Sequence, residues 1–311
     1  MSLLRKLAEA GLLLCLGSGA EAQVTYTGTT IADAFLATGS SNNPVGTDLT
    51  GLNFGAAGTL VVATAASPKG EFQSVLKFNL ADAIALFDAS CGTNNWTITG
   101  ISLELTSNDG TGGVQPNNHI FPVISGGQFV IEWLSNDDWV EGTGTPNLPT
   151  TDGVTYDSLP DLLSGAHNIL GTNTYSPPGN NVPLAYPLPL APNLVSNVAE
   201  GGDVTLLFYA ADDQIGYLFN SYNYGRGNQP FIHVVVAPTR PIILSGSFTN
   251  GNFRLTGLGV ANGQYQIQAA GDLTTTAWQS LGTAMADNMG AILFDDTTAT
   301  NFPQRFYRLA R

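Results

Sequence analysis

The chain has 311 residues, 43% of them hydrophobic and 11% charged, with a formal net charge of −14. That apolar content can fill a core and excludes a disordered chain, while the low charge and abundant Gly, Asn and Thr point to many short strands rather than helices. Charge is unevenly placed: residues 23–238 carry 18 acidic side chains against Lys69, Lys77 and Arg226, a net of −15, whereas residues 239–311 carry four Asp and five Arg.

Residues 1–22 read as a signal peptide, with Arg5 and Lys6 as the charged start, a short apolar run at 12–16 and Ala20-Glu21-Ala22 as the cleavage site. That run is too short to span a bilayer, and no later stretch looks transmembrane. The product is expected to be secreted, extracellular or held at the cell surface. After cleavage Cys91 is the sole cysteine, which excludes an internal disulfide and suggests a buried small hydrophobe.

Along the mature chain, strands are expected at 24–30 and 31–36, followed by a long Gly/Ser/Asn loop at 37–58. Two β-type runs, 59–64 and 73–80, flank a Ser-Pro-Lys-Gly turn and form the centre of the large domain. In the second, Leu76, Phe78 and Leu80 point to a core face while Val75, Lys77 and Asn79 point to a wetter one. A short helical turn follows at 80–87, then strands at 96–106 and 128–134. Residues 158–165 read as a helix of one to two turns, capped by Ser158, with Pro160 in its first turn and Gly165 at its end. Six prolines between 177 and 192 rule out a central strand and suggest an extended surface connection. Strands at 204–210, 215–220 and 231–237 complete the set, the last nearly continuous in apolar residues, as a buried strand would be. Pro238-Thr239-Arg240-Pro241 is a natural linker. Beyond it, 252–258, 264–269, 278–281 and 305–309 form a small all-β unit. The expected organisation is a signal peptide (1–22), a jelly-roll-like β-sandwich (23–238) and a small C-terminal β-sandwich (239–311).

The ordered landmarks IADAFLATGSSNNPVG, TLVVATA, SVLKFNL, DDWVEGTGTP and FNSYNYGRGNQPFIHVVV resemble those of DNRLRE-type domains of exported bacterial proteins. The resemblance covers residues 23–238 and implies a jelly-roll sandwich related to carbohydrate-binding modules. Modules for acidic glycans carry basic residues, and this domain has three, which argues against an alginate-like ligand. Residues 265–309, with Asp272-Leu273, Trp278, Phe294-Asp295-Asp296 and Arg305-Phe306-Tyr307-Arg308-Leu309, are similar to a small β module that ends exported proteins of Verrucomicrobia-like bacteria.

A field of this sign repels nucleic acid, anionic membranes and uronate-rich polymers, and suits neutral glycans or carboxylates arranged around calcium. Asp33, Asp137, Asp138, Asp212 and Asp213 are the candidate calcium ligands, provided that their loops meet at one end of the sandwich. Tyr222, Tyr224 and Arg226, with Trp139, are the candidate ligand-binding residues, because sugar rings stack on exposed aromatic planes while polar neighbours bond the hydroxyls. Trp96 is expected as a core plug. His119, His167 and His233 lie far apart, and no nucleophile elbow, HExxH, phosphate loop or Cys/His metal pattern is present in the mature chain. The sequence therefore reads as a non-catalytic protein that binds neutral polysaccharide or cell-surface matrix. The alternative is a structural or adhesive envelope component whose C-terminal module mediates attachment or secretion.

Overall fold

The computed structural model describes residues 23–41, 48–108, 120–225, 227–274 and 277–310; the expected signal peptide, His119 and Arg226 lie outside them. The chain divides into two compact units, Val24–Val236 and a second that begins at Ala237. Both are all-β. No helix among the described residues is long and apolar enough to cross a membrane.

The large unit is a jelly-roll-like sandwich whose strands run almost full circle. Strand β1 (Val24–Ala37) is a single strand where two were expected, and it serves both layers. Its first half pairs with β10 (Phe231–Pro238), from Val24↔Val236 to Thr29↔Phe231. After a bulge at Ile31, residues 32–37 pair with β3 (Phe72–Asn79). A bulge of this kind adds a residue and turns the strand, which lets one segment close two sheets. Thr30 ties the corner down, donating from both its amide (3.3 Å) and its hydroxyl (3.0 Å) to the carbonyl of Pro230.

One layer continues from β3 through β8 (Asp203–Ala210) and β5 (Gly127–Leu134) to β6 (His167–Tyr175). The other continues from β10 through β4 (Trp96–Thr106) to β7 (Pro183–Leu188). Strands β2 (Thr59–Ala63) and β9 (Gly216–Asn220) complete the circuit, through Ala63↔Phe72 on one side and a Ser107↔Phe219 bridge on the other. The proline-rich stretch is thus not simply a surface connection. Its middle forms β7, an edge strand, where a missing N–H costs no ladder bond on the open side.

Alternation fills the core between the layers. Ile101, Leu103 and Leu105 of β4 face Leu76, Phe78, Phe129 and Phe208 from the opposite layer, and all are buried. Strand β10 departs from expectation: only alternate residues are buried, and His233 is half-exposed, bonded to Thr27 Oγ1 at 3.0 Å. The predicted turn after β3 is a full helix, α1 (Ala81–Cys91), burying Ala83, Phe87 and Cys91 at four-residue spacing. Trp96 packs on Phe87 and donates to Asp88 at 2.8 Å. The helix expected at 158–165 is one short turn, α2 (Leu159–Leu162), and Ser158 Oγ bonds back to Thr155 rather than capping it. A further helix, α3 (Pro192–Glu200), packs through Leu194 and Val198.

Of the face of β3 expected to be wetter, Asn79 is exposed but Val75 and Lys77 are buried. Loop and helix residues 139–163 cover Val75 and Lys77, forming a second apolar cluster with Ala34, Leu36, Leu134 and Leu207. Lys77 lies beneath that cover, donating to the carbonyls of Asp137 (2.5 Å) and Trp139 (2.9 Å), with its ammonium 4.6 Å from the Trp139 ring centre.

The C-terminal unit pairs two three-stranded sheets. One contains β11 (Ile242–Thr249), β12 (Asn252–Leu258) and β15 (Ala291–Asp296), the other β14 (Gln279–Met285), β13 (Gln264–Ala270) and β16 (Phe306–Ala310). Leu255, Tyr265, Ile267 and Ile292 form its core. Asp296 organises one end: it accepts from Arg305 (2.6 Å), Tyr307 (3.0 Å) and both the amide and hydroxyl of Thr298. Burial pushes its carboxyl up, but those bonds and the guanidinium outweigh it and hold the group below the usual carboxylate range.

A carboxyl depressed by folding contributes stability above its unfolded pKa that is lost as pH falls through the folded one. Asp296→Asn is therefore expected to destabilise this unit by about 3 kcal/mol at neutral pH, since it strands a buried arginine, and to flatten the acid side of its stability profile. Hydrogen exchange at Ile267 in the full chain, compared at pH 7 and pH 3, measures both.

Candidate functional site

The residues singled out from the sequence fall into three places. Asp212 and Asp213 lie at the β8–β9 turn. Asp212 is consumed there, accepting from the amides of Gln128 (2.6 Å), Gln214 (2.9 Å) and Ile215 (3.0 Å), while Asp213 is exposed beside a small depression of about 210 Å³. Asp137 and Asp138 lie at the other end of the eight-residue strands β5 and β8, roughly 24 Å away at a strand's rise per residue. Asp137 is half-buried, its carboxylate accepting from Thr205 at 2.6 Å. Asp33 is fully buried on the inner face of its sheet, in register with Leu76, which pairs in turn with Leu206. The aspartates thus do not converge, and among the described residues no three His, Cys, Asp or Glu side chains are grouped to hold a metal ion.

Asp33 instead meets the tyrosines. After β9 the chain makes a single 3₁₀ turn, Tyr222–Tyr224, and the Tyr222 amide donates to Asp33 Oδ2 at 2.6 Å. Glu141 Oε1 accepts from the Asp33 amide (3.1 Å) and from Asn223 Nδ2 (3.0 Å), and Asn223 Nδ2 also reaches the Gly55 carbonyl at 3.0 Å. Ser221 Oγ accepts from the Asn223 amide (3.0 Å) and donates to Ala57 O (2.6 Å). The turn is therefore tied to β1, to the 49–57 loop and to the loop that follows Trp139. On it Tyr222 stands 47% exposed, and Tyr224 is half-buried with its hydroxyl 3.4 Å from Asn181 Oδ1.

Electrostatics at this junction are unusual. Burial pushes the Asp33 carboxyl up to about 8; the Tyr222 amide pulls against the shift and Glu141 adds to it. Burial likewise raises Glu141, against the bonds from Asp33 and Asn223. Asp33 Oδ1 is buried and bonds to nothing among the described residues.

One residue that the sequence reading missed holds the supporting loops together. Asn53 is fully buried, donating to the carbonyls of Glu141 (2.7 Å) and Val154 (2.8 Å) and accepting from the amides of Gly55 (3.1 Å) and Gly144 (3.0 Å). The backbone comes so close that a Cβ at Gly142 would lie 2.3 Å from Asn53 Oδ1, and one at Gly144 would lie 1.9 Å from its carbonyl oxygen. These close approaches hold the loop that carries Glu141.

Trp139 is 9% exposed, its indole donating to Thr205 at 3.0 Å. It also lines a groove of about 440 Å³ with Asp138, Asp152, Ser158, Asp161 and Leu162. Asp152 is fixed there by bonds from Thr150 and from the hydroxyl and amide of Thr143, which lower its pKa to about 2. Away from these places, buried Glu132 bonds His167 at 2.6 Å and Tyr209, whose pKa burial and Glu132 push up to about 12.

The sequence matches no protein-family model and no curated protein. Among solved structures, a beta-1,2-glucanase from Parabacteroides distasonis is similar at 9% identity with a TM-score of 0.17, a likeness too slight to carry an argument. That match takes in 92% of this chain and 36% of the glucanase.

Asn53→Ala would leave two amides and two carbonyls buried without partners. The expected loss is about 3 to 5 kcal/mol of unfolding free energy in urea, from an unmet cost of about 1 kcal/mol or more per group.

Proposed function

We propose that the large sandwich is a non-catalytic binding module for neutral polysaccharide or extracellular matrix, acting in a protein exported from the cell. The observation that carries this reading is the exposed Tyr222 ring on a turn held by bonds from the Tyr222 amide to Asp33, from Asn223 to Glu141 and Gly55, and from Ser221 to Ala57. A large aromatic surface that is already rigid loses little entropy when a sugar ring stacks on it. The net charge of −15 over residues 23–238 favours uncharged glycans over uronates. The groove beside Trp139, with three carboxylates and an apolar floor, offers further acceptors for sugar hydroxyls.

A second reading has its own observation. In the C-terminal unit, edge strand β11 leaves Leu244 53% and Phe248 64% exposed. An apolar edge with open backbone groups suits attachment to another β-structure, as an adhesive envelope component would need.

Affinity electrophoresis of the full chain through gels of neutral and uronate polysaccharides separates the two. Retardation by a neutral glycan, weakened about tenfold or more by Tyr222→Ala/Tyr224→Ala with no release of reducing sugar, supports the first. No retardation on any polymer leaves the second.

A further inference from the structure

We propose that Asp33, Glu141, Asn223 and the Gly55 carbonyl form a binding site for a hard divalent cation of the calcium class. The site differs from the set of five aspartates expected from the sequence, four of which lie elsewhere, and it does not depend on the glycan reading.

Three features of the junction point to a cation. Among the described residues, Asp33 Oδ1 is a fully buried carboxyl oxygen with no hydrogen-bond donor, in a side chain whose other oxygen accepts the Tyr222 amide. An orphaned oxygen at such depth carries its full desolvation cost unless a proton or a cation relieves it. Second, the neighbouring group is another carboxylate, Glu141, and among the described residues no basic side chain bonds to either. Third, the Asn223 amide lies 3.0 Å from both Glu141 Oε1 and Gly55 O. A half-turn of that amide would exchange nitrogen for oxygen and set Asn223 Oδ1 beside Glu141 Oε1 and Gly55 O, with the Asp33 amide on Glu141 Oε1 as the donor that remains. Such a cluster is unstable alone and is what a calcium-class ion gathers, with water filling its remaining positions among six to eight. Magnesium demands a stricter octahedron and shorter bonds, which favours calcium here. The ion would link β1, the 49–57 loop, the Glu141 loop and the Tyr222 turn, all of which supply one of these groups.

The test is calorimetric titration of calcium into chelator-treated full chain, with thermal unfolding alongside. One site and a rise in Tm are expected. Asp33→Asn and Glu141→Gln, which keep shape but remove charge, should each weaken binding on the order of tenfold or abolish it. Asn223→Asp adds a carboxylate: it should melt below the wild type in chelator, bind calcium on the order of tenfold more tightly, and recover its Tm when calcium is added. Absence of binding by both the wild type and Asn223→Asp would overturn the proposal. So would binding that none of the three substitutions alters, which would place the ion on other carboxylates. If Asp33→Asn or Glu141→Gln fails to fold by circular dichroism, Asn223→Asp decides alone, and an unchanged affinity counts against the site.

Discussion

A carboxyl group buried in a strand needs a reason, and Asp33 has one in its 2.6 Å bond to the Tyr222 amide. It lies two residues past the bulge at which β1 passes from one layer to the other, so the crossing and the buried acid are set by the same few residues. The bond draws the end of β9 onto the edge of β1, and Glu141 bonds both partners' neighbourhoods at once through the Asp33 amide and Asn223. Asn53 then fixes the loop that carries Glu141. Two tyrosines are thereby displayed on a short turn without a helix or strand beneath them. The rest of the candidate site depends on that chain of contacts.

The wider use of acids in this unit follows the same pattern. With few cations available, several of its carboxylates are satisfied by amides and hydroxyls. Asp212 closes the β8–β9 turn on three amides, Asp137 takes the Thr205 hydroxyl, and Asp152 takes two threonines and an amide. Much of the net charge of −15 is thus structural in origin. The C-terminal unit works differently. Asp295 and Asp296 look alike as a pair in sequence, yet Asp295 makes an exposed bidentate bridge to Arg254 while Asp296 makes a buried one to Arg305. The first contributes little to stability and the second holds the unit's end.

Alternation made most of the sandwich legible. Residues 96–106 and 264–269 show their inward faces directly, and the acidic, turn-rich composition points to an all-β chain. What was missed has physical causes. Strand β6, HNILGTNTY, is polar because its outer face is wet, and α3 hides behind the prolines that begin it. Strands β11 and β15 bury few residues, although Asn250-Gly251, both with positive φ, is a recognisable two-residue hairpin turn. The wet face assigned to Lys77 was wrong because a loop far along the chain covers it. At the site, Asp33 and the tyrosines were visible as residue types, but nothing local says that they meet. Asn53, Glu141 and Asn223 act through contacts spanning 82 to 168 residues in sequence, and single polar residues in loops carry no periodicity to mark them. The glycines beside Glu141 were the available signal, since close backbone approach requires them, as does a positive φ at Gly142.

The central claim is that this anchored turn is the surface that meets a glycan. Hydrogen exchange read by mass spectrometry on the full chain, with and without a neutral polysaccharide, tests it most directly. The account predicts added protection in peptides covering residues 216–225 and 139–144, with the sheet interior unchanged. Protection confined to the C-terminal unit, or none anywhere at saturating polysaccharide, would contradict it.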